Sequence, residues 1–291
     1  MSLTSSPVLS AQEFNSKLLR HQERCQQIVE NYFAQKQAGV KNPSIDFLFS
    51  YFSFSFSKLC KWSPGPKVLV DKIPDYLNEQ HFSEQNGYYF LDPSTLPQKR
   101  HAGLRWTLRL LQNSQSKTPT FNCYGLHEWA MVYKSQQTRH HEKLPLRLPM
   151  SEIIEFVDSQ NLVCTHYDAL RFYTSEAKPL NKFQITRDEQ ADFDQAGCLH
   201  VNMDLYKWAY KLYPFISSDL IADCFELAKE CRIIDMQASP YDVSSLGVDK
   251  IAIETRDGRN DYIAKQNFLY QKSLPLRSKL IESYQSILNF S

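Results

Sequence analysis

The sequence predicts a mainly α protein, a single compact helical domain with a few short strands. Three observations lead there. Apolar residues recur three and four apart over several long stretches, which is the period of one helix face. Eight glycines in 291 residues are too few for a Gly-rich nucleotide fold, and neither G-x-G-x-x-G nor G-x-x-x-x-G-K-[ST] occurs. Hydrophobic residues make up 42% of the chain and aromatic residues 13%, enough to fill a large core.

Taken in order, residues 1–9 read as a loose tail and 10–291 as the domain, with a candidate subdivision near 113–120. Ser10-Ala11-Gln12-Glu13 matches a capping box, and the helix after it carries Phe14, Leu18, Cys25, Ile28, Val29, Tyr32 and Phe33 on one side, ending at Gly39 and Pro43. Residues 46–60 mix Phe-Ser alternation with the helical face of Leu48, Phe49, Phe52, Phe56 and Leu59, and a helix is preferred. Short strands are expected at 68–70 and 88–91. An amphipathic helix follows at 100–112, then a polar linker at 113–119.

Residues 200–211 read as one helix, apolar around most of its surface, with His200, Asp204, Lys207 and Lys211 on one stripe. That stripe either meets water or lines a site. A second helix starts at Ser217 or Ser218 and buries Leu220, Cys224, Leu227, Ala228 and Cys231. Four residues on, the same face reaches Asp235, where a carboxylate needs a partner; Arg232 lies three residues earlier. Residues 250–254 are expected as a strand, 256–258 as a turn, and 262–270 and 276–288 as two closing helices.

Net charge is +1, so no global basic field points to nucleic acid. The seven cysteines are odd in number and form no C-x-x-C, against a disulfide framework or a thiolate zinc cluster. No N-terminal apolar segment and no apolar run near 18 residues occurs, so the chain is expected to be soluble and cytoplasmic, with no membrane partner. No protein partner is indicated.

Candidate ligands are spread along the chain. His127-Glu128 lacks the second His of H-E-x-x-H. Arg139-His140-His141 reads as a loop rather than a metal site. His166-x-Asp168 supplies two members of a 2-His-1-carboxylate triad, without the usual β-barrel. Together His127, His166 and His200 with Glu128, Asp168 and Asp204 are an inventory suited to Fe, Mn or Zn. No cofactor is certain from the sequence; a divalent transition metal is the one these residues admit.

Nearly the whole length resembles a known family. The stretches are GLHEWAMVY at 125–133, PLRL at 145–148, CTHYDALRFYT at 164–174, PLN at 179–181, GCLHVNMDLYKWAYKL at 197–212, DCFELA at 223–228, DMQASPYD at 235–242 and IET at 253–255. They are similar to bacterial proteins carried under the name 3-methyladenine DNA glycosylase. That name implies an aromatic-walled pocket for a flipped cationic base and a carboxylate that orients water. Trp129, Tyr206, Trp208, Tyr210 and Tyr241 would be the walls, and Asp204, Asp235 or Asp242 the carboxylate, with His200 beside them. Arg171 and Lys207 would contact substrate, and Arg105, Arg109, Lys207 or Lys211 the DNA backbone. There is no Gly-rich hairpin of the kind that grips DNA, and the near-neutral charge gives no strong phosphate footprint.

The expectation is an N-glycosidic hydrolase acting on an alkylated nucleobase in DNA or a related nucleoside. The alternative is a metal-dependent enzyme on a small molecule, using His127, His166 and His200. A third possibility is a non-catalytic binding protein.

Overall fold

A computed structural model describes residues 6–30, 32–40, 42–135 and 144–290. Arg139, His140 and His141 lie outside the described residues. The architecture is mainly α. In chain order it comprises β1 (Val8–Leu9), α1 (Ala11–Val29), α2 (Tyr32–Gln37), α3 (Pro43–Tyr51), α4 (Phe56–Leu59), β2 (Leu69–Val70), β3 (Phe82–Gln85) and β4 (Tyr88–Leu91). There follow α5 (His101–Ser116), α6 (Leu126–Ala130), α7 (Met150–Asp158), α8 (Tyr167–Leu170), α9 (Gln190–Phe193), α10 (Leu199–Met203), α11 (Leu205–Tyr210), α12 (Ser218–Ala238) and α13 (Arg256–Leu288). Among the described residues no helix is long and apolar enough to cross a membrane.

The chain divides into two compact units. Unit 1 comprises Met1–Leu108, Leu205–Glu226 and Leu276–Ser291; unit 2 comprises Arg109–Asp204 and Leu227–Pro275. The boundaries fall inside α5, at Asp204, inside α12 and at Pro275 of α13.

Unit 1 holds the sheet, ordered β1-β2-β4-β3, with β1 parallel to β2 and the other pairs antiparallel. Val8 and Leu9, read from sequence as tail, therefore pair with Leu69 and Val70. A two-residue strand lacks the alternation that would mark it in sequence. The partner of the expected strand at Tyr88–Leu91 is β3, which sequence reading did not place. Its signal was present: Asn86 and Gly87 both take positive φ, 55° and 79°, as a tight hairpin turn requires. Against the sheet, Phe14, Trp62 and Val70 form a core with Leu9, Leu18, Tyr76, Phe82 and Tyr89. A second apolar body is aromatic: Phe49 stacks on Phe225 at 5.3 Å, and Tyr206 meets Phe52 and Phe225 edge-on.

Several expected elements differ in extent, each for a local reason. The capping box forms, Ser10 accepting from Glu13 N and Glu13 from Ser10 N, but α1 stops at Glu30, whose φ of 30° lies outside the helical region. The helix expected over 46–60 is two helices, capped by Asn42 and Ser55, because each cap side chain satisfies free N–H groups. The linker expected at 113–119 is helical through Ser116. The strand expected at 250–254 is irregular, and 256–258 is the first turn of α13. Thr255 Oγ1 accepts from Gly258 N there, and a side chain at Gly258 would run into the Ala252 carbonyl. Glycine thus marks a close approach to backbone, not a turn. The two closing helices are one, with Pro275 inside it.

Candidate metal centre

Unit 2 brings the sequence's scattered histidines together. The chain reaches α6 through a turn in which Tyr124 and Gly125 take φ of 30° and 81°. Only a residue without a side chain fits at 125, where a Cβ would lie 2.9 Å from Ala238 Cβ and 3.2 Å from the Tyr262 ring. This turn aims His127 and Glu128 inward; both are buried. Gly125→Ala is expected to cost about 1–3 kcal/mol through strain and overpacking, read as a lower urea midpoint at unchanged slope. An unaltered midpoint would mean the turn is less constrained than its geometry states.

The partner is the last third of α12. Asp235 continues that helix's apolar face, as the sequence spacing indicates, and is fully buried at 0% exposure. Its Oδ1 lies 2.7 Å from His127 Nε2 and its Oδ2 2.6 Å from the Arg232 guanidinium. Arg232 also donates to Glu128 at 3.0 Å. His200, on α10, places Nε2 3.6 Å from Asp235 Oδ2, and its ring centre is 4.5 Å from that of His127 and 5.3 Å from that of His166. One ligand atom each from His127, Glu128, His200 and Asp235 falls within a 4.8 Å cluster.

The electrostatics follow from burial and these neighbours. Burial alone pushes the His127 imidazolium down, but the charge and hydrogen bond of Asp235 outweigh it and raise the group to about 9. Burial and the Asp235 charge raise Glu128 to about 7 against the pull of Arg232. His200 is pushed down to about 3, first by burial and then by His127, His166 and Arg232, with Asp235 opposing. Burial would raise Asp235, but His200, His127 and Arg232 hold it well below the usual carboxylate range. Two buried carboxylates therefore face one guanidinium, and the proton on His127 supplies further positive charge.

A second group, His166, Asp168 and Asp204, also has its ligand atoms within 4.8 Å. Hydrogen bonding argues against it as an ion site. His166 caps α8, its Nδ1 accepting from Ala169 N at 3.2 Å. The neutral ring then carries its proton on Nε2, which faces Asp204 Oδ2 at 3.3 Å. His166 is thereby suited to orient Asp204 rather than to bind a cation. Asp168 pairs with the exposed Arg171 at 3.3 Å.

The helix expected over 200–211 breaks at Asp204 into α10 and α11, so the stripe does not run as one row. His200 and Asp204 belong to unit 2, where Asp204 is buried. In unit 1, Lys207 and Lys211 lie 4.5 and 4.8 Å from the Trp208 ring centre. Of the expected aromatic walls, Trp129, Tyr206, Trp208 and Tyr241 are buried in the core and Tyr210 is partly exposed. Trp129 is fully buried, donates to the Ala238 carbonyl at 2.9 Å and is covered by Arg147. Tyr241 is buried in a bridge to Leu146. Tyr206 and Trp208 are buried in unit 1, where Tyr210 stacks on Phe54. Asp242 accepts from Ser244 N at 3.0 Å. Arg105 is exposed, and Arg109 pairs with Asp192. Sequence reasoning passed over Cys123, whose Sγ lies 3.3 Å from His127 Nδ1; its position four residues before His127 was the available signal.

In comparisons with protein-family models, curated proteins and solved structures, the chain matches none.

Proposed function

We propose that this protein is a metal-dependent enzyme acting on a small molecule, with a divalent transition metal held by His127, His200, Asp235 and Glu128. The observation that carries this is the convergence of two imidazoles and two carboxylates, drawn from α6, α10 and α12, in one buried cluster. The donor set suits the group. Imidazole and carboxylate are the ligands of Zn, Mn and non-haem Fe. The Nδ1 of His200 is buried with no hydrogen-bond partner, an ordinarily costly arrangement. The His127 proton, shared with Asp235, stands where positive charge from an ion would be needed.

When bound, such an ion supplies Lewis acidity toward a substrate oxygen or water. The chain's own residues do the rest. Arg232 holds Asp235 and Glu128 in place by hydrogen bonds to both. Before an ion binds, His127 holds a proton at Nε2 against Asp235, and that proton would have to leave for the nitrogen to serve as a ligand. Burial of His127, Glu128 and Asp235, with His200 only partly exposed, limits bulk water and strengthens each interaction.

The family resemblance supplies a substrate to try first, an alkylated base in DNA or a nucleoside. Trp129, Tyr206, Trp208 and Tyr241 are buried in the core, so the convergence of metal donors supports the metal reading more directly than they support a base pocket.

Protein prepared without chelators and offered Mn, Fe and Zn is expected to retain about one equivalent of one of them. His200→Ala and Asp235→Asn should each lose most of it. Less than about a tenth of an equivalent in the unaltered protein overturns the proposal. Base release by the loaded protein would then identify the substrate class, and its absence would redirect the search to other small molecules.

A further inference from the structure

We infer that Cys123 is a positioning residue for this centre: its sulfur accepts the Nδ1 proton of His127 and so leaves Nε2 to the cation. The inference rests on the metal reading above and adds a residue to it. Metal-binding histidines almost always donate their second ring N–H to an outer partner, which fixes both tautomer and ring orientation. In this protein the Nδ1 edge of His127 faces Cys123 Sγ at 3.3 Å, while Nε2 faces Asp235 on the opposite edge.

The backbone is built to bring the sulfur there. Cys123 and His127 are four residues apart but are not on one helix, since α6 begins at Leu126. The positive φ values at Tyr124 and Gly125 fold the chain back, and the Cys123 carbonyl accepts from Leu126 N at 2.8 Å. Gly125 is pinned by Ala238 and Tyr262, so the turn cannot relax without disturbing α12 and α13. Cys123 is also only half-buried, unlike Cys164, Cys224 and Cys231.

The ring then has two distinct edges. With Nδ1–H committed to sulfur, the lone pair on Nε2 points toward Asp235. Without that acceptor, the neutral ring is free to place its proton on Nε2, where the hydrogen bond to Asp235 would hold it and block the cation.

The test is Co(II) and Zn(II) affinity of the full-length chain by chelator competition, for the unaltered protein, Cys123→Ala and Cys123→Ser. Cys123→Ala is expected to weaken binding about 10- to 100-fold, the usual loss for an outer partner. Cys123→Ser, whose hydroxyl oxygen also accepts, should recover most of it. Nitrogen-15 spectra of the Zn-loaded unaltered protein should show a protonated Nδ1 at His127. Equal affinity for Cys123→Ala and the unaltered protein overturns the inference while leaving the metal reading intact. So does an intense sulfur-to-cobalt charge-transfer band, which would make Cys123 a direct ligand. If the unaltered protein binds neither ion, the metal reading fails and the inference with it.

Discussion

Arg232→Met is expected to destabilise the ion-free protein by about 3–5 kcal/mol, the cost of leaving a buried charge without its partner. The guanidinium is buried and reaches Asp235 at 2.6 Å and Glu128 at 3.0 Å, so one substitution leaves Asp235 its hydrogen bond to His127 but removes the guanidinium from both carboxylates. Their mutual repulsion then acts in a poorly solvated interior. Adding Glu128→Gln should recover part of the loss, because one of the two charges is gone. The pair must therefore be non-additive, as side chains in one network are. Urea unfolding of the single and double variants measures this. A loss below about 1 kcal/mol for Arg232→Met would show that the cluster is solvated or otherwise compensated. The same variant is expected to gain more stability from a divalent ion than the unaltered protein does, since binding to the folded state alone stabilises it.

The second large effect is on pH dependence. The ion-free protein should lose stability as pH rises from about 6.5 to about 9. His127 titrates at about 9 in the fold against an ordinary 6.5, so the folded state holds a proton that the unfolded chain releases. That contribution is complete below the unfolded value and disappears as pH climbs through the folded one. Glu128, raised to about 7, acts in the same direction at lower pH. His200 and Asp235 are shifted downward, and their contributions are lost on acidification instead, outside this window. A shift of this size corresponds to a change on the order of 3–4 kcal/mol between the two limits. Unfolding free energies at three pH values should show the slope in the unaltered protein and its absence in His127→Asn. The same slope in both would assign it to other groups. Loading the ion should reverse the trend, because the cation displaces the His127 proton and binds better as pH rises.

Parts of the centre were legible in the sequence because they are local. The spacing on α12 put Asp235 inward with Arg232 three residues before it, and both are found so. Of the expected ligands, His127, Glu128 and His200 fall in one cluster, joined by Asp235, which was expected as a carboxylate rather than a metal ligand, and the capping box at Ser10 fixed where α1 starts. The convergence was not legible, since His127 and Asp235 are 108 residues apart. Periodicity reports which face of an element is buried, not which other face it meets. The roles of the aromatics were ambiguous for the same reason. A Trp or Tyr at helical spacing is apolar inward whether it lines a pocket or fills a core, and burial of Trp129, Tyr206 and Tyr241 decided for core.

The sequence by itself determined a mainly α chain, the inward carboxylate on α12 and the set of histidines, because these follow from contacts three and four residues apart. Tertiary packing decided the break at Asp204, the pairing of β1 with β2, and which histidines share a cluster. It also set the partners of the ring nitrogens. Ala169 N–H claims one nitrogen of His166, and Cys123 and Asp235 face the two nitrogens of His127. The same residue type thus caps a helix in one place and meets a thiol in the other, with a carboxylate facing the second nitrogen of each. That difference arises from hydrogen-bond partners that only the folded chain brings within reach.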